Sequence, residues 1–480
     1  MTASRFSAFL LSIVLATGAA AAPLSDAART CVTAMNNAGL AVARAQGALT
    51  DGCLAPTVAA GGAAACVAND TDAGLAAATQ ATFDAAVGSC AELPAFGVAR
   101  TVDQAVNEAA VAHVRGLVDD AFASSPGGAM ITDASDVKGR RCQASVAKGM
   151  EAIVTTYVAG FGRCVRKALA SGAGDEAALA ACATSSVRGP ATKALRKLAT
   201  QARHRCRGQT TTSVLAGRCA NAGTPVAAAQ CLGTRALCRA CRIANAMDGL
   251  AADCDLVDDG AGNGSCTFLV SLSGDAIPFN GGPGGRVEGA DVSLLEHPDR
   301  HVTTGVDGHF VFEGLEEGSD VTVVMSAPDY HAIQTGTFRL GPRGIERVTF
   351  QAVLNTIYGL LANLLAIVPD EANLCQMVTT VTRVGKSIYD PGAHGEAGVT
   401  VTLDPPLAAD HGPIYFNSSV IPDRTLTQTS DDGGVLFIQV PPGDYVWTAH
   451  KAGAVFSRIK MVCRPGFLVN ASPPKGLQRH

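Results

Sequence analysis

Sixteen cysteines are the side chains best placed to do chemistry in this 480-residue chain, and their spacing points to pairwise oxidation. Cys31 to Cys53 spans 22 positions and Cys66 to Cys90 spans 24; Cys142 to Cys164 and Cys182 to Cys206 repeat both intervals. That is an internal duplication. In a helical hairpin, antiparallel arms bring together residues placed symmetrically about the turn. The spacing therefore predicts two rungs per hairpin: Cys31 with Cys90 and Cys53 with Cys66, then Cys142 with Cys206 and Cys164 with Cys182. The next six also nest, pairing Cys219 with Cys266 and Cys231 with Cys254 and leaving Cys238 and Cys241 in the middle. A C-x-x-C of this kind also serves as a redox pair or half a zinc site. Here residues 237 to 247 read as a bare helix turn, and no histidine lies between residues 205 and 296 to complete a tetrahedral site. Structural disulfides are the preferred reading, with Cys375 and Cys463 stapling the last part of the chain.

The elements that must carry these cysteines are alanine-rich, and alanine loses little entropy on entering a helix. Turns fall where the symmetry demands them, at residues 55 to 65 and 171 to 176. Twenty-two residues at ~100° each return within ~40° of the starting face, so each first arm presents both cysteines to its partner. Twenty-four residues end ~240° round. Each second arm therefore needs a break, for which residues 69 to 72 and Gly189-Pro190 are available. Residues 101 to 122 read as a further helix packed against both hairpins.

Residues 1 to 22 read as a secretory signal, with Arg5, an apolar centre and a small-residue cleavage region. Export to an oxidising space is consistent with an even number of cysteines. The apolar run from residue 353 to 368 contains Asn355, Thr356 and Asn363 and falls short of the ~20 residues that cross a bilayer, so no transmembrane segment is expected in the mature chain. Net charge is −5 and only 16% of residues are charged, which argues against a nucleic-acid partner. Locally the picture differs. Residues 138 to 207 hold fourteen Lys or Arg against three acidic residues, whereas residues 26 to 84 hold two basic against five acidic. Arg163, Arg166, Lys167, Lys193, Arg196 and Lys197 form a candidate face for an anionic polymer, polysaccharide or envelope surface. Docking on the acidic hairpin, or simple solvation, is the competing explanation.

After Cys266 the composition changes to short β-branched and aromatic alternations broken by glycine and proline, the signature of a sandwich. Two stretches match without gaps: Asp307-Gly308 with Asp432-Gly433, Phe312 with Phe437, Leu315 with Val440, and Gly318 with Gly443. Together with the Gly289-Ala290-Asp291-Val292 and Gly398-Val399-Thr400-Val401 strands, these residues resemble the carboxypeptidase regulatory-like domain. The likeness covers residues 285 to 351 and 377 to 460, with Asp320 and Val435 standing where the motif has aromatics. It implies two prealbumin-like β-sandwiches acting as non-catalytic modules, and no binding residue carries over. Residues 353 to 368 fit an amphipathic helix lying as a lid over an exposed sandwich end.

Signatures of hydrolases and nucleotide-binding loops are missing. His297 and His301 are four apart, but Pro298 and Asp299 place them in a loop. A resemblance to intradiol dioxygenases would require Tyr415, Tyr445, His411 and His450 to converge on iron, without the family's closely spaced histidine pair. Related sandwiches bind glycans through exposed aromatics, which makes Tyr415, Tyr445 and Trp447 a candidate platform. The expectation is an α+β multidomain, exported, non-catalytic structural or interaction protein without a cofactor, with carbohydrate binding as the alternative. Its expected order is a signal segment (1–22), a first hairpin with connecting helix (23–135), a basic hairpin with cysteine cluster (136–250) and a linker with first strand (251–284). A sandwich (285–352), an amphipathic helix (353–374), a second sandwich (375–470) and a frayed tail (471–480) follow.

Overall fold

The computed structural model describes residues 23–54, 62, 65–69, 72–90, 102–123, 129–131, 133, 135–257, 262, 264, 266–279, 284–341, 344–387, 394–454, 456–473 and 476–479. The signal segment, most of the first hairpin's turn and the loop at 124–128 lie outside these residues. The protein is α+β: helices fill the first half and strands the second. Among the described residues no helix is long and apolar enough to cross a membrane.

Side-chain caps set the helix starts. Ser25 opens α1 (Asp26–Cys53) by accepting from the Ala28 amide, and Asp72 opens α2 (Ala73–Ser89) by accepting from Gly74 and Leu75. Helix α3 (Val102–Phe122) follows, then the long α4 (Val137–Ala170), capped by Asp136. The second arm of this hairpin is broken as helical phase demands. After α5 (Glu176–Ser185) comes a π turn at Val187–Ala191 containing Pro190, then α6 (Thr192–Arg205). The first hairpin uses the other break, leaving regular helix at residue 69 and resuming at Ala73. Disulfides join Cys31 to Cys90, Cys53 to Cys66, Cys142 to Cys206 and Cys164 to Cys182. Each constrains the unfolded chain by roughly 3–4 kcal/mol.

The cluster that follows departs from the nested expectation. Thr224 and Pro225 start a single helix α7 (Pro225–Asp248), and Gly249, at φ 60°, ends it in the left-handed conformation. It is no bare turn. Its apolar residues, among them Leu232, Leu237, Ile243 and Met247, are buried between α1, α3, α4 and α6. Cys231, Cys238 and Cys241 all lie on this one rod, so each reaches a different flanking segment: Cys219–Cys231, Cys238–Cys266 and Cys241–Cys254. Distance excludes Cys231 with Cys254, because Cys231 lies ~27 Å of helix from the Gly249 turn, whereas five extended residues return at most ~18 Å. Asp255 closes the segment after the helix, accepting from the Gly264 and Cys266 amides.

The strands are β1 (Leu269–Pro278), β2 (Asp291–Leu294), β3 (His297–Thr303), β4 (His309–Glu316), β5 (Asp320–Ser326), β6 (Ile333–Arg339) and β7 (Phe350–Ala352). After helix α8 (Asn355–Leu364) come β8 (Cys375–Thr382), β9 (Thr400–Asp404), β10 (Ile414–Phe416), β11 (Pro422–Asp423), β12 (Gly434–Val440), β13 (Gly443–His450), β14 (Ile459–Cys463), β15 (Leu468–Asn470) and β16 (Leu477–Gln478). In the first sandwich, β4-β1-β7 faces β2, β5 and β6 across a core containing Phe310, Phe312, Val323 and Phe350. The second is built around Phe437, Tyr445, Trp447 and Met461, and Cys375–Cys463 ties β8 to β14.

The two sandwiches repeat one hydrogen-bond device. Thr304 Oγ1 accepts from Ala290 N and donates to Val287 O; Thr429 Oγ1 accepts from Val399 N and donates to Glu396 O. Four residues on, Gly308 and Gly433 adopt φ 67° and 79°, which side-chain-bearing residues rarely do, and each carbonyl accepts from the neighbouring first strand. The modules nonetheless share a sheet, since β6 of the first pairs with both β14 and β15 of the second.

Two further expectations change. The tail is not frayed: β16 adds in parallel to β8, Leu477 is buried, and Arg479 pairs with Glu396 at 3.1 Å. Helix α8 does more than cover one end. Ile357 and Tyr358 pack on the first core, while Leu365 just beyond it packs with Ile414, Phe416, Leu436 and Ile438 of the second module. Leu360, Leu364 and Val368 stay exposed.

Candidate functional site

Two arrangements of charge stand out, one buried and one exposed. The buried one joins the two halves. Arg235, Arg239 and Arg242 recur at four- and three-residue spacing on α7, so they share one face. Arg235 Nε lies 2.8 Å from Asp120 Oδ1, and Arg239 Nε lies 2.6 Å from Asp120 Oδ2. The Arg239 guanidinium also reaches Glu317 at 3.2 Å, in the turn between β4 and β5, and His113 of α3 approaches the same carboxylate at 2.9 Å. Arg242 donates to the carbonyls of Glu317 and Cys266. All three guanidiniums lie 4.1 to 5.2 Å from the Phe268 ring centroid. Gly116 makes room, because a Cβ there would fall 2.3 Å from Arg239 Nη1.

Burial works against the Glu317 carboxylate, but His113, Arg239 and Arg242 outweigh it and hold its pKa down at about 2. Burial, with help from Arg239 and Arg242, pushes His113 below its ordinary value, so the ring is neutral at neutral pH. A buried ion cluster of this kind is expensive to break by removing one member and contains no reacting geometry. It acts as a positioning joint between the helical half and the first sandwich. Its signal in the sequence is the run of helically spaced arginines on an otherwise apolar segment, which charge counts over whole hairpins do not reveal.

The exposed arrangement is the second hairpin. Arg163, Arg166 and Lys167 on α4, and Lys193, Arg196 and Lys197 on α6, are all exposed. Antiparallel pairing strings the six along the hairpin. Among the described residues none of the six has a carboxylate within ion-pair distance, and Arg166 reaches only the Asn37 side chain, at 3.3 Å. Docking on the acidic hairpin uses a different cation, Lys148, which lies 3.6 Å from Asp51.

The glycan platform is corrected. Tyr415, Tyr445 and Trp447 are 2%, 4% and 0% exposed. Tyr445 and Trp447 stand two apart on β13, so the pleat turns both inward, where Trp447 meets Phe437 edge-on at 5.1 Å. Tyr415 Oη accepts from Val401 N and Tyr445 Oη donates to Pro441 O. The iron quartet does not converge either. His450 meets Thr402 on the outer face of the strand whose inner residue Val401 holds Tyr415, and His411 is bonded to the Ile438 carbonyl. His297 and His301 lie within strand β3, not a loop, and His301 is held by Asp291 and the Pro298 carbonyl.

No protein-family description matches the chain, and no curated protein matches it in sequence. Among solved structures, the Bacillus anthracis TIE protein aligns over 42% of this chain and 33% of its own, with 12% identity and a TM-score of 0.14. GBS52, the minor pilin of Streptococcus agalactiae, aligns over 44% of this chain and 95% of its own, with 10% identity and a TM-score of 0.15. The aligned part thus spans a third of the first protein's length. At such scores neither likeness bears on what this protein does.

Proposed function

We propose that this chain is an exported, non-catalytic interaction protein whose stapled helical half presents a cationic hairpin to an anionic partner. The observation that carries the reading is the contrast between its charges. Arg239 is buried, Arg235 and Arg242 are half-buried, and all three are answered by carboxylates, whereas the six hairpin cations are exposed and unanswered. Exposed unpaired cations at high density raise the local concentration of an anionic partner. Export is supported by the pairing of all sixteen cysteines, which an oxidising compartment favours. The repeated Thr304 and Thr429 device supports the carboxypeptidase regulatory-like reading of the β half, as two modules fused through β6, the first of them tied to the helical half by the ionic joint.

Retention of the purified protein on immobilised heparin tests the hairpin. The triple variant Arg163→Glu/Arg166→Glu/Lys167→Glu should elute at clearly lower salt than the parent. Equal elution would remove the hairpin from consideration. Sequencing the N-terminus of protein recovered from the medium or periplasm tests export.

A further inference from the structure

The cationic hairpin has a counterpart within the same chain with which, among the described residues, its six cations form no ion pair. Residues 266 to 352, the first sandwich, carry twelve acidic side chains against five basic, while residues 353 to 480 carry ten against nine. The acidic excess is therefore local to the first module. Several of its carboxylates gather around β3, which among the described residues pairs on one side only, with β2. Asp299 lies on β3, and Glu288 precedes Gly289, whose amide donates to Thr304 just past the end of β3. Asp307 follows in the turn to β4, and Glu313 sits on β4, where its carbonyl accepts from Arg300 of β3. All four are exposed, and among the described residues none has an ion-pair partner. Among the described residues, the ion pairs between this module and the helical half run through His113 of α3 and through Arg239 and Arg242 of α7, and involve neither set.

We infer that the partner of the cationic hairpin is a second copy of this chain, engaged through the acidic β3 edge of its first sandwich. The inference rests on the reading of the hairpin as an interaction surface and adds the partner's identity. Each copy offers both surfaces at different places. The contact is therefore heterologous, and it extends head to tail unless the rotation between copies closes a ring. Matching surfaces of opposite charge also set orientation, since like surfaces repel.

Sedimentation velocity of the full mature protein provides the test, at about 0.01 M salt, where charges are screened over ~30 Å, and at about 1 M, where the length is ~3 Å. Concentration-dependent association at low salt should vanish at high salt. The hairpin triple variant, and a sandwich variant Glu288→Lys/Asp299→Lys/Glu313→Lys, should each associate at least about tenfold more weakly with itself than the parent does. Mixed together, the two should associate, because the first keeps an acidic sandwich and the second a basic hairpin. Far-UV circular dichroism shows that both variants fold. A parent that stays monomeric at every salt, or a mixture that does not associate, overturns the inference. If heparin retention nevertheless depends on the hairpin, the partner is another polyanion and the proposed function stands; loss of both removes both.

Discussion

The two halves of this molecule are held by different means. Seven of the eight disulfides lie within residues 31 to 266, and one lies in the β half. The reason is side-chain size. The helical core is rich in alanine and cysteine, which bury little apolar area, so covalent rungs supply what packing does not. The sandwiches bury Phe310, Phe350, Phe437 and Trp447 and close on their own ladders. Between them sits an ionic joint, selective in geometry and sensitive to acid.

Reduction should break the comparison most sharply. Seven rungs at roughly 3 kcal/mol or more each exceed the ~5–15 kcal/mol stability of a typical domain. The helical signal in far-UV circular dichroism should therefore collapse while the fluorescence of Trp447, the single tryptophan and a β-core residue, persists. Simultaneous loss of both signals would show that the halves fold as one unit. Arg239→Ala comes next, since it strands the buried Asp120 and Glu317 carboxylates at a cost of about 3–5 kcal/mol. Denaturant melts should shift accordingly, and limited proteolysis should begin between the halves.

The same joint sets an acid limit. Glu317 has a folded pKa of about 2 against an ordinary 4.5, so its contribution is complete above pH 4.5 and disappears as pH falls toward 2. Glu317→Gln should flatten that part of a stability profile. Leu477→Ala tests the docked C-terminal strand and should cost about 2–3 kcal/mol, read by Trp447 fluorescence in urea. One further effect is a gain. Burial lifts the Asp248 carboxyl from 3.8 to about 8, outweighing its hydrogen bond from Asn36, so the folded state holds an extra proton across that window. Stability should fall as pH rises from 4 to 8, and Asp248→Asn should remove the slope, leaving the variant more stable than the parent near pH 8.

Much of the helical frame was legible because helical phase and a repeated 22- and 24-residue spacing allow few solutions: arithmetic called for a break in the second arm, and Gly189-Pro190 offered a place for it. The third cysteine cluster failed the same logic because it surrounds one helix rather than bridging two. Tyr415, Tyr445 and Trp447 misled because alternation specifies which residues share a face and not which face is wet. Gly116, His113 and Glu317 carry no local pattern that announces a joint, since they meet only when α3, α7 and the first sandwich dock.

The amino-acid order by itself determined the helical and β halves, the four hairpin rungs, the two repeated strand units and the concentration of positive charge in residues 138 to 207. These are properties of neighbours in sequence, set by period, turn chemistry and composition. Tertiary structure decided the pairing around α7, the fusion of the sandwiches through β6, the docking of the C-terminal strand and the ionic joint. Each depends on which surfaces meet at long separation, where packing and burial, not local preference, select the partner.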